Sequence, residues 1–217
     1  MSYLKLLKIT WNNPWTLNPN VYVPRIDSID YSKLKELGVK YLVFDKDNTL
    51  TAHLKNEFYD NKIQSCVNNE IKQLYDQNSQ IFIVSNSIKS EQKQKEVQQN
   101  LGIELILTSQ KKPHNFQEII NHIKQKNTNV SIKNHEIAFF GDRLFTDVLL
   151  ANLNGAVSVY TDPFNNLNEH LGIWLMRKIE KQIFSKFQNS RSINLYYLNQ
   201  NIKNFDQQVT KQNQQQQ

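Results

Sequence analysis

Four short stretches of this chain carry residue types that could act together on a phosphate. Asp45-Lys-Asp47-Asn-Thr49 sets two carboxylates two residues apart. One of them can attack phosphorus while the other, turned differently by the loop, handles the proton of the leaving group. A carboxylate approaches an anionic phosphate only where charge is neutralised. Asp142, in Gly141-Asp142-Arg-Leu-Phe-Thr-Asp147, offers with Asp45 a hard oxygen site for Mg2+, and Lys112 of Lys111-Lys112-Pro113 adds positive charge. Ser85, in Ser85-Asn86-Ser87, can hydrogen-bond a phosphate oxygen with help from backbone N–H groups at a helix start.

These stretches share a position relative to the predicted elements. Short, nearly continuous apolar runs rich in β-branched and aromatic residues read as buried strands at Val39–Phe44, Gln80–Val84, Ile103–Leu107, Ile137–Phe140 and Ala156–Tyr160. Helical periodicity lies between them: Ser32–Leu37 closed by Gly38, residues 62–77, a polar helix to Asn100 that Ser87 could cap, Phe116–Gln125, and Thr146–Leu153. Strands alternating with helices predict an α/β fold with a parallel sheet covered on both faces. In such a sheet ligands gather beyond the carboxyl ends of the strands, where the four stretches fall.

Length and composition bound the rest. At 217 residues the chain amounts to one domain with appendages, large enough to fold without disulfides, and its single Cys66 excludes disulfide frameworks and CxxC zinc sites. Twenty-six basic against 20 acidic residues give a net charge of +6, which suits nucleic acid, anionic lipid or a phosphorylated substrate. No apolar run reaches the roughly 18 residues of a membrane span. Cys66 reads as a bystander, and His53, His122, His135 and His170 form no metal-ligand spacing.

The organisation follows as residues 1–27, an N-terminal membrane-proximal or targeting segment; 28–163, the α/β domain; 164–205, a basic helical extension; and 206–217, a Gln-rich tail expected to be disordered. In the first segment Leu4, Leu7 and Trp11 could form one face of a short helix, and the lack of acids before Asp27 also fits an organelle address. In the extension Leu171, Trp174, Leu175, Ile179, Ile183 and Phe187 keep helical spacing among Arg177, Lys178, Lys181 and Lys186. This helix either docks on the sheet or meets anionic lipid.

In order and spacing, Asp45-Lys-Asp47-Asn-Thr49, Ser85, Lys112 and Gly141-Asp142 with Asp147 resemble the four motifs of the haloacid dehalogenase superfamily of phosphotransferases. The resemblance implies a three-layer Rossmann-like fold and a Mg2+-dependent aspartyl-phosphate mechanism. Asp45 would be the nucleophile, Asp47 the general acid and then base, and Asp142 and Asp147 of the acidic motif metal ligands with Asp45 and the Asp47 carbonyl. Ser85 and Asn86 would contact substrate. The motif lysine precedes the proline, which favours Lys112 over Lys111 as catalytic and leaves Lys111 to the substrate. Neither insertion point used for caps in this superfamily has room for a cap domain, which predicts an open site.

The wording of Phe44–Thr51, Lys111–Pro113, Gly141–Asp147 and Ala151–Gly155 is similar, more closely, to the mitochondrial and bacterial phosphatidylglycerophosphate phosphatases. His114 departs from the Gly that often follows the Lys-Pro pair there. That resemblance implies a phospholipid substrate on the route to cardiolipin, and a peripheral enzyme on the matrix side of the mitochondrial inner membrane. Arg143 would then hold the lipid phosphodiester or pair with a nearby acid. A phosphatase for soluble or protein-borne phosphate and a non-enzymatic subunit of a membrane complex are the competing readings. Nucleic acid is not an expected partner, because no groove-reading module is present.

Overall fold

The computed structural model describes residues 10, 13–128, 130–164 and 171–188. The expected helix face at Leu4, Leu7 and Trp11 and the Gln-rich tail lie outside the described residues.

Six strands form one parallel sheet: β1 (Val21–Val23), β2 (Tyr41–Phe44), β3 (Ile81–Ile83), β4 (Glu104–Leu105), β5 (Ile137–Gly141) and β6 (Val157–Thr161), in the order β1-β6-β5-β2-β3-β4. Five of them fall within the expected apolar runs or a residue beyond them. The sixth, β1, is an edge strand in the N-terminal segment, in register with Val159–Thr161 of β6. From β2 the chain winds outward through β3 and β4, then returns to β5 on the other side of β2, so β2 and β5 flank the topological switch point. Asp45 leaves β2 and Asp142 leaves β5 at that crevice, where ligands of open α/β sheets bind.

Alternation along each strand sends side chains into two cores. Leu42, Phe44, Ile81, Ile83, Ala138 and Phe140 pack with α1 (Tyr31–Glu36), with α2 and with α3 (Glu91–Leu101). The α2 element runs Asn61–Ser65, widens into a π-helical turn at Cys66–Ile71 and closes at Lys72–Leu74. Tyr41, Val43, Phe82, Val84 and Phe139 face the opposite layer, α4 (Phe116–Lys126) and α5, a π-helical turn at Leu144–Val148 continued by Leu149–Leu153. Cys66 is buried in the first core, and burial pushes its thiol up to about 12, which makes it inert.

Two ends differ from the sequence expectation. Helix α3 begins at Glu91 and is capped by Ser90, whose Oγ accepts from Lys93 N, so Ser87 is released from capping. The C-terminal helix α6 (Leu171–Gln188) does lie on the domain, through Phe184 against Tyr22 and Tyr160, with ring centroids 4.9 and 4.7 Å apart. Yet Trp174, Leu175 and Ile179 of the expected apolar face point outward, and Arg177 and Glu180 turn inward instead. The reason is polar: the inward face meets groups that need charged partners at the end of β5.

Candidate active site

Buried strands deliver the site residues to one crevice. Lys112 Nζ lies 2.6 Å from Asp45 Oδ1 and 2.6 Å from Asp147 Oδ1, and donates to the Val84 carbonyl at 3.2 Å. Of the two candidate lysines, Lys112 is therefore the one in the site, and Lys111 is exposed on the loop outside it. Asn86 holds that loop in place: its Oδ1 accepts from Lys112 N at 2.8 Å. Gly141 leaves the space Asp147 occupies, since a Cβ there would sit 2.2 Å from Asp147 Cγ. This is why the acidic motif opens on glycine.

Asp45, Asp142 and Asp147 each offer a carboxylate oxygen within 4.8 Å of the others. Burial and the mutual repulsion of these acids push Asp45 up to about 8 and Asp142 up to about 6, against the opposing pull of Lys112 and Arg177. Hard oxygen donors crowded in one buried crevice, with carboxylates whose ionised form lacks sufficient counter-charge, fit a divalent cation. Arg177 donates to Asp142 Oδ2 at 2.5 Å and to the Asp142 carbonyl at 3.2 Å. One turn along α6, Glu180 accepts from Phe145 N at 3.0 Å, and burial pushes its carboxyl up to about 7.

Asp47 is set apart from this cluster. Its Oδ2 accepts from Ser87 Oγ at 2.7 Å and, at the long distance of 3.5 Å, from Ser85 Oγ; its Oδ1 accepts from Lys46 Nζ and Leu54 N, both at 2.8 Å. Although burial alone would raise it, Lys46 and the hydrogen bonds hold this carboxyl below its usual range. Two carboxylates two residues apart thus sit in opposite environments, Asp45 pushed towards its protonated form and Asp47 held ionised. The loop that carries them closes with an Asp47–Thr51 bridge, and among the described residues no large cap covers the crevice.

Sequence reasoning missed four participants. Ser87 was assigned to a cap but serves Asp47; Lys46 is buried although lysine seldom is. Arg177 and Glu180 come from a helix 35 residues away from their partners. Spacing held a signal for these two, since Arg177, Glu180 and Phe184 repeat at helical intervals. Arg143 sits beside Glu180 and Asp142, and its Nε is buried without a hydrogen-bond partner.

A parallel sheet with paired aspartates after β2, a serine after β3, a lysine on the loop before α4 and acids after β5 defines a phosphotransferase site of the haloacid dehalogenase type. Within that class the chain belongs to the mitochondrial PGP phosphatase family, whose profile matches residues 3–164. It is 28% identical to phosphatidylglycerophosphate phosphatase 1, chloroplastic/mitochondrial, of Arabidopsis thaliana, over 78% of this chain and 47% of the relative. With phosphatidylglycerophosphatase GEP4, mitochondrial, of Saccharomyces cerevisiae it shares 30% identity over 72% of this chain and 83% of the relative. The probable phosphatase YqeG of Bacillus subtilis is 27% identical over 77% and 89%. The chain spans about half the length of the plant relative. No solved structure matches it.

Proposed function

We propose that the protein hydrolyses the phosphomonoester of phosphatidylglycerophosphate to phosphatidylglycerol, using Mg2+, at the matrix face of the mitochondrial inner membrane. The carrying observation is the placement of Asp45 at the switch point, held by Lys112 beside Asp142 and Asp147. The names of the plant and yeast relatives support this substrate and this organelle.

An Asp45 oxygen attacks phosphorus and the bond from phosphorus to the glycerol oxygen breaks, leaving an acyl phosphate on Asp45. Asp47, which takes up a proton from solvent as the phosphate arrives, gives it to the departing glycerol oxygen. In the resting arrangement Asp47 is ionised, and the negative charge of an arriving phosphate beside it raises its affinity for that proton. Asp47 then takes a proton from water, whose oxygen attacks phosphorus and releases Asp45 and inorganic phosphate. Asp45, Asp142 and Asp147, with the Asp47 carbonyl, would hold the cation, which neutralises phosphate charge and keeps Asp45 ionised. Lys112 adds fixed positive charge, Ser85 serves the phosphate oxygens, and Arg143, with its unpartnered Nε, serves the phosphodiester.

The uncapped crevice would also admit a soluble or protein-borne phosphate. Phosphate release across phosphatidylglycerophosphate vesicles, glycerol 3-phosphate and a phosphopeptide separates the readings. The lipid should be preferred by at least about a hundredfold in kcat/KM; equal rates would favour the soluble substrate, and no release from any would favour a non-enzymatic subunit.

A further inference from the structure

Helix α6 has two working faces. Inward it carries Arg177 on Asp142, Glu180 on Phe145 N, and Phe184 among Tyr22 and Tyr160. Outward it carries Trp174, Leu175 and Ile179, exposed at 44, 54 and 40%. These three, within two turns, form a continuous apolar strip rather than the scattered surface hydrophobics that need no explanation. Lys178 lies with its Nζ 3.7 Å from the centroid of the Trp174 ring, and Lys181 is exposed on the next turn. The helix contains four bases, Arg177, Lys178, Lys181 and Lys186, against one acid, Glu180, which is turned inward. An apolar strip with a tryptophan, bordered by lysines and free of outward acids, has the composition of a helix lying in the headgroup region of an anionic bilayer.

We propose that the Trp174–Leu175–Ile179 face of α6 docks the protein on an anionic lipid surface. Through the inward bond from Arg177 to Asp142 the docked helix is also a wall of the catalytic crevice, which ties the crevice to the docked surface. A second exposed apolar side chain lies near the acids: Leu54, 68% exposed, whose N–H donates to Asp47. This inference rests on the proposed lipid substrate and adds the element that reaches it, which lies beyond the residues matched by the family.

The test uses the full chain and vesicles of phosphatidylcholine with or without phosphatidylglycerol, which has no phosphomonoester to hydrolyse. The wild type should co-float with the phosphatidylglycerol vesicles and not with phosphatidylcholine alone. Trp174 emission should shift to the blue on binding, read as the difference from Trp174→Phe. Leu175→Ser with Ile179→Ser, and separately Lys178→Glu with Lys181→Glu, should each lower vesicle partitioning by at least about tenfold. Both should hydrolyse para-nitrophenyl phosphate at the wild-type rate, which shows that fold and site are intact. Variants that bind vesicles like the wild type would overturn the proposal. So would variants that turn a dimer into a monomer with vesicle binding unchanged, which would make this face a contact between copies. Because these vesicles carry no substrate, failure to dock and failure to hydrolyse phosphatidylglycerophosphate are read separately.

Discussion

Arg177 grips Asp142 twice, through the Oδ2 oxygen at 2.5 Å and through the backbone carbonyl at 3.2 Å, from a helix outside the segment matched by the family. The contact fixes the orientation of one of the three clustered carboxylates. A group that orients a metal ligand from behind tunes affinity without touching the ion.

Arg177→Gln should therefore weaken Mg2+ or Mn2+ binding by about tenfold or more, measured by calorimetric titration of the protein without substrate. Lysine can replace only one of the two contacts, so Arg177→Lys should fall between the two. Unchanged or tighter binding in the glutamine variant would show that Arg177 competes with the ion instead.

Lys112 is almost fully buried between Asp45 and Asp147. Replacing it by Met removes the shared counter-charge and should destabilise the protein by about 3 kcal/mol at neutral pH, the cost of leaving buried charge unpaired. The loss should grow from neutral to alkaline pH, because Asp45 ionises near 8 beside Lys112 and is pushed higher still without it. Urea midpoints of both proteins at neutral and alkaline pH check both statements, and a pH-independent difference would count against the pairing.

Glu180 gives a stability dependence of opposite sense to that of most carboxylates. Its folded value is raised from 4.5 to about 7 by burial. Below the lower value it is protonated in both states and contributes nothing to the dependence. Between the two values the unfolded chain ionises first, so stability falls as pH rises, and above the upper value the penalty is constant. Glu180→Gln should remove this slope, narrowing or reversing the difference from wild type as pH goes from acidic to slightly alkaline in urea unfolding. Parallel curves for the two proteins would contradict the assignment.

Most of the fold was legible because buried parallel strands read as unbroken apolar runs, and the motifs sit where those runs end. Residues 21–23 do not read as a strand for the converse reason: so short a run before Pro24 is a strand only because β6 offers it an edge. Ser87 and Ser90 are chemically equivalent cap candidates, and only the path of the loop decides which one caps and which one reaches Asp47. Lys46 between two aspartates reads as a solvated charge until the Asp47–Thr51 bridge folds the loop over it. The outward turn of Trp174, Leu175 and Ile179 ran against the rule that apolar faces pack inward, because Asp142 and Phe145 N demanded the polar side of the helix.

The central claim is that Asp45 carries out phosphate transfer from phosphatidylglycerophosphate. The most direct measurement is Mg2+-dependent phosphate release from vesicles containing that lipid, comparing wild type with Asp45→Asn, which keeps the shape of the side chain and removes the nucleophile. The account predicts release by the wild type and a loss of at least about a thousandfold in the variant. Comparable turnover by the two proteins would contradict it.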